Sequence, residues 1–117
     1  MDKIAISSEG PTLDDRLDPR FGRAAGFVII DPDTMQHEYV DNGASQAAAQ
    51  GAGIQAAETV FRAGARVVLT GSVGPKAFQA LQAAGIKIGQ DLENMTVRQA
   101  LDLYCSGKVA WATGPNR

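Results

Sequence analysis

RVVLTGSVGPKAF, Arg66 to Phe78, decides how the chain is organised. RVVLT (Arg66 to Thr70) is apolar and β-branched without alternation, the pattern of a strand covered on both faces. GSVGP breaks that strand, and Pro75 suits the first turn of a helix, where a missing amide loses no partner. Ala77, Phe78, Leu81 and Ala84 then recur at helical spacing, Gly85 ends the helix, and IKI (Ile86 to Ile88) is a short strand. Strands joined through a helix in this way run parallel with a right-handed crossover.

Upstream, KIAIS (Lys3 to Ser7) reads as a first strand, GFVIID (Gly26 to Asp31) as a second buried on both faces, and QHEYV (Gln36 to Val40) as a third at an edge. Pro32 turns the chain between the last two, and Asn42-Gly43 closes the meander. SQAAAQGAG is of low complexity and reads as a mobile loop or a frayed helix start. Ile54, Ala57, Phe61 and Ala65 then fall on one helical face. Downstream, Thr96 and Gln99 have capping-box spacing, Val97, Ala100, Leu101 and Tyr104 make an apolar stripe, and Gly107 ends the last helix.

The order is βββαβαβα. Placing the fourth strand beside the first by the crossover rule gives an α/β fold, a mixed five-stranded sheet of order 3-2-1-4-5 with flanking helices, the ribonuclease H-like arrangement. The chains leaving the first and fourth strands diverge there, and such a switch point opens a crevice at the carboxyl ends of the strands.

A chain of 117 residues, 44% hydrophobic and 21% charged, suits one domain spanning 1–117. A net charge of -2 speaks against a general nucleic-acid binder, which needs a basic face to displace counterions. Cys105 is the one cysteine, so no internal disulfide forms. The start, MDKIAISSEG, lacks an apolar signal region and no run reaches membrane-spanning length, so the expectation is a cytoplasmic protein without a membrane partner.

Three glycine-rich segments meet at the crevice: DPRFGRA after the first strand, GAG before the first crossover helix, and GSVGPK after the fourth strand. Two of them lead into helix N-termini, whose unpaired amides and positive dipole ends attract anions. Arg16, Arg20, Arg23 and Lys76 lie in or beside these segments. GAGIQA fits a dinucleotide fingerprint in spelling only, since it follows a loop and no acidic residue closes the next strand; close packing explains its glycines. GSVGPK is shorter than a Walker loop and Pro75 removes an amide, so it reads as an anion nest. His37 reads as a structural or solvent-facing residue and Cys105 as a small, partly buried one; together they cannot close a zinc site. DDRLD (Asp14 to Asp18) reads as a solvated loop pairing with its own arginines. Nuclease chemistry needs convergent carboxylates, and only Glu9 is well placed.

PRFGRAAGFVI (Pro19 to Ile29), GAGIQAAETVFRAGARVVLTGSVGPKAFQALQAAGIKI (Gly51 to Ile88) and TVRQALDLYCSG (Thr96 to Gly107) resemble the dinitrogenase iron–molybdenum cofactor biosynthesis family, in order and over nearly the whole chain. The resemblance implies a ribonuclease H-like fold and a non-catalytic carrier. Its cargo would be a preformed anionic metal–sulfur cluster of molybdenum–copper or iron–molybdenum type, exchanged with donor and acceptor proteins. Many members carry a histidine before the Phe-Gly pair; Arg20 stands there in this chain, which favours charge pairing over imidazole ligation.

The expected site follows. Arg20 and Arg23 supply charge and planar donors, and Gly22, Gly71 and Gly74 let backbone amides approach the sulfurs. Phe21 anchors the loop, while Gly51, Gly53, Ser72 and Lys76 complete the rim. No side chain ligates metal directly. The alternative on the same rim is a small-anion or nucleotide-binding regulatory module without a cluster, and a third class is a domain whose loops dock a partner.

Overall fold

The structure is a computed structural model that describes residues 2–117. Strands β1 (Lys3–Ser8), β2 (Gly26–Ile30) and β3 (His37–Asp41) precede a short helix α1 (Gly43–Gln46) and the longer α2 (Ala52–Arg62). Then come β4 (Ala65–Leu69), α3 (Pro75–Ala83), β5 (Lys87–Gly89) and α4 (Val97–Cys105). The five strands form one sheet of order β3-β2-β1-β4-β5, as the crossover rule requires. β2 is antiparallel to both β1 and β3, with Ile6 opposite Val28 and Val28 opposite Tyr39. β4 lies parallel to β1 and β5, with Ile4 beside Val67 and Val68 beside Ile88.

The unbroken apolar runs of β1, β2 and β4 are explained by burial on both faces. Ala5, Phe27, Ile29 and Val68 point to a core closed by Ala56, Ala57 and Val60 of α2 and by Ala77, Phe78 and Leu81 of α3. Ile4, Ile6, Val28, Ile30, Val67 and Leu69 point the other way, toward Val97, Ala100 and Leu101 of α4. The period-two alternation of a strand thus feeds two cores. Each fully buried Val, Leu, Ile or Phe contributes about 1.5–3 kcal/mol.

Several local readings change. The buried face of α2 is Ala52, Ala56, Ala57 and Val60; Ile54 and Phe61 are exposed and Ala65 already belongs to β4. Alanines face inward because α2 lies close to α3, while the Phe61 ring faces out and takes the Arg66 guanidinium 5.3 Å from its centroid. SQAAAQ is split between the end of α1 and a turn. The loop between β1 and β2 is not merely solvated: Leu13 and Leu17 are buried in the α4 core, and Asp18 is 1% exposed. It is held there because Val97 and Arg98 donate their amides to Asp15 and Leu13, and Leu17 donates to Met95. Cys105 is exposed at the end of α4. The capping box of α4 is present, with Thr96 and Gln99 bonding each other's backbone amides.

Gly26 is set by its neighbour across the sheet. A Cβ there would collide with the Tyr39 ring, which lies over the Gly26 backbone and packs on the α4-side core. Burial, followed by the carboxylates of Asp41, Asp15 and Asp18, raises the Tyr39 hydroxyl above its usual pKa. Gly26→Ala is expected to cost about 1–3 kcal/mol in urea unfolding through overpacking. In a Tyr39→Ala background the same substitution should cost much less, and an equal cost in both backgrounds would show that Tyr39 does not impose the glycine.

Candidate functional site

At the carboxyl ends of β1 and β4 the sheet is closed by hydroxyls. Ser7 Oγ lies 2.6 Å from the Asp18 carbonyl and 2.7 Å from Thr70 Oγ1. With one proton each, Ser7 donates to the carbonyl and Thr70 donates to Ser7. All three residues are buried.

Beyond this point two loops join. The Ser72 amide donates to the Pro19 carbonyl at 2.6 Å, and the Phe21 amide donates to the Ser72 carbonyl at 3.1 Å. Arg20 and Ser72 are therefore paired in parallel, so DPRFGRA and GSVGP share one end of the sheet. Gly71 allows this approach, because a Cβ there would stand 2.5 Å from the Pro19 carbonyl oxygen. Phe21 is wholly buried against Phe27, with ring centroids 5.4 Å apart, and anchors the loop.

Asp18 organises the arginine loop. Its buried carboxylate accepts from the amides of Arg20 and Ala25 at 3.1 and 3.3 Å. It also accepts from Arg20 Nε and Nη2 at 3.3 and 3.4 Å. The Arg20 side chain remains 53% exposed, so its outer edge faces solvent. Arg23 Nη1 donates to the carbonyls of Ala48 at 2.7 Å and Gln46 at 3.2 Å, at and just past the end of α1. Each guanidinium keeps unused donors from its five. Lys76 makes no hydrogen bond or ion pair with the described residues.

The starts of α2 and α3 converge on the same place. A Cβ at Gly53 would lie 2.8 Å from the Ala77 Cβ, and one at Gly22 would lie 3.0 Å from the Gly53 backbone. Three segments are thus in near backbone contact. Neither Gly51 nor Gly74, the residues that cap α2 and α3, supplies a side-chain cap. The first-turn amides of both helices are left for another partner, except at Pro75, which has none.

These elements enclose a cleft of about 490 Å3. Arg20, Phe21, Gly22 and Arg23 line one side, and Gly53, Ser72, Gly74 and Lys76 the other. Gly51 and Gly71 stand behind the lining: Gly51 turns the chain into α2 with φ of 74°, and Gly71 admits Pro19. Arg16 bridges to Thr96 and is not in the lining. Four lining residues had no part in the expected site: Ala52, Pro75, Ala77 and Arg117. The two alanines follow from helix register. Arg117 had no signal in the sequence, since only tertiary packing brings it there. His37 and Cys105 are both exposed and outside the cleft, and no group of three His, Cys, Asp or Glu suited to a metal ion occurs among the described residues.

Residues 2–107 match the family described as dinitrogenase iron-molybdenum cofactor. The chain belongs to this family. Among solved structures, the apo form of the orange protein from Desulfovibrio gigas is 63% identical, with all of this chain and 98% of that one covered at a TM-score of 0.98. A NifB-like protein of Thermotoga, assigned to the DUF35 family, is 32% identical over 100% of this chain and 98% of that one, with a TM-score of 0.87. An uncharacterized protein of Methanocaldococcus jannaschii is 26% identical over 110 residues, 92% of this chain and 88% of its own. The family and the neighbouring orange protein connect the chain with the handling of metal clusters.

Asp18→Ala should lower stability by about 1–3 kcal/mol in denaturant titration, because it strips the partner from two loop amides and from Arg20. Arg20→Gln, by contrast, should cost under about 1 kcal/mol, since much of the guanidinium is already in water. Equal losses would mean that the ion pair, and not the amide contacts, fixes the loop.

Proposed function

We propose that this protein is a non-catalytic carrier of a preformed anionic metal–sulfide cluster. One observation carries the reading: two uncapped helix starts and the cations Arg20, Arg23 and Lys76 converge on one cleft, with no ligand set for a bare metal ion among the described residues. A cluster that keeps its sulfides needs none. It needs positive charge and N–H donors, which arginine forks and helix amides provide.

The lining also selects the kind of anion. Ala52, Pro75 and Ala77 give an apolar wall between the cations. A small oxyanion such as phosphate loses too much hydration against such a wall, whereas a large anion with its charge spread over sulfurs loses less. The family description and the likeness to the orange protein support molybdenum in the cargo. We take the cargo to be of molybdenum–copper or iron–molybdenum type. Donor and acceptor proteins would exchange it at the open face of the cleft.

Incubation of the apo-protein with tetrathiomolybdate and copper(II), followed by gel filtration, should yield a protein fraction with visible charge-transfer absorption and bound molybdenum. Molybdate and phosphate in excess should not compete. Lys76→Gln should weaken uptake about ten-fold while leaving the thermal midpoint unchanged, and added salt should weaken the wild type more than this variant. A colourless product that instead binds phosphate or a nucleotide would favour the regulatory anion module.

A further inference from the structure

We infer that Arg117 is a further anion-binding residue of this cleft, fixed there by Asn116; the inference rests on the carrier reading above. Both residues lie beyond 2–107, the part of the chain that the family description matches. The assignment therefore adds to the site a segment that the family match does not include.

The route of this segment is well determined by hydrogen bonds. Trp111 bridges to Gly89, and the Ala112 amide donates to the Ile88 carbonyl at 2.8 Å, so the chain first runs along the free edge of β5. Gln90 Nε2 donates to the Gly114 carbonyl at 2.7 Å. Asn116 then closes the route with both ends of its amide. Its Oδ1 accepts from the Val73 amide at 2.8 Å, and its Nδ2 donates to the Gly71 carbonyl at 2.9 Å and to Asp91 Oδ1 at 2.7 Å.

The pairing explains why Asn116 sits at that point. The GSV loop behaves as a short strand. Ser72 gives its own N–H and C=O to Pro19 and Phe21 on one side, so the Gly71 carbonyl and Val73 amide face the other. A side-chain amide supplies the matching donor and acceptor in one group. With Asn116 docked, the next residue, Arg117, lies along Ser72, its Nη1 3.5 Å from Ser72 Oγ. It lines the cleft with Arg20 and Lys76 and forms no ion pair with the described residues. An arginine held next to a cleft without a carboxylate partner has its fork free for a bound anion.

The test uses the whole protein with tetrathiomolybdate and copper(II) as the probe, read by visible absorption at low and high salt. Arg117→Gln should weaken uptake about ten-fold and flatten the salt dependence with an unchanged thermal midpoint, while Arg117→Lys should restore most of the salt response. Asn116→Ala should weaken uptake as much as Arg117→Gln, and combining the two should weaken it no further, because both remove one interaction. Uptake by Arg117→Gln equal to wild type overturns the assignment while leaving the carrier reading intact. Additive losses in the double variant overturn the role of Asn116 as the anchor. A wild type that takes up no cluster overturns the carrier reading, and this assignment with it.

Discussion

The pairing of Ser72 with Pro19 and Phe21 is the constraint on which the rest of the cleft depends. β1 and β4 are parallel neighbours, but the chain leaves them toward opposite edges of the sheet. Nothing in the sheet itself would hold the departing loops together. Two backbone hydrogen bonds do so, and they require a glycine at 71 to let the Pro19 carbonyl close. Once the loops are joined, Phe21 is driven into the core, Gly22 meets Gly53, and the starts of α2 and α3 are drawn to the same point. The geometry of the cleft is thus a backbone property, and the charges are added to it.

Those charges are not equivalent. Arg20 is committed in part to the buried Asp18 and Arg23 to the carbonyls of residues 46 and 48. These contacts orient the guanidinium groups and reduce the entropy lost when a ligand arrives, at the cost of some of their field. Lys76 and Arg117 have no carboxylate partner among the described residues; Lys76 contributes charge with little pre-organisation, while Arg117 is held through the docked Asn116 with its fork free. The rim therefore combines three positioned cations with one adaptable one, a division that suits a bulky anion whose outline is not matched atom by atom.

Most of the fold was legible in the sequence because its signals were local and repeated. Consecutive β-branched residues in β1, β2 and β4, Pro75 at the start of α3 and the Thr96–Gln99 box all specify an element without reference to distant residues. The α2 face was misread because Ile54 and Phe61 are larger than the alanines that are actually buried; close approach to α3 outweighed side-chain hydrophobicity there. Proximity of DPRFGRA to GSVGPK could be read from topology. The burial of Asp18 could not, because a lone carboxylate in an acidic run looks like any solvated one until its four donors are assembled. Asn116 and Arg117 were invisible for the same reason: their partners lie 25 to 45 positions away.

The hydroxyl pair of Ser7 and Thr70 stands where the two central strands part. A pair of hydroxyls is neutral at every physiological pH and cannot gather a magnesium ion. The floor beneath the cleft is therefore electrically silent, and the potential felt by a visitor is written entirely in the loops above it. Arg23, Lys76 and Arg117 can be exchanged without placing an unpaired charge in the interior, whereas Arg20 also faces the buried Asp18 carboxylate. The same sheet could consequently be refitted for cargoes of different charge at those three positions, with the Asp18–Arg20 pair shared between folding and recognition.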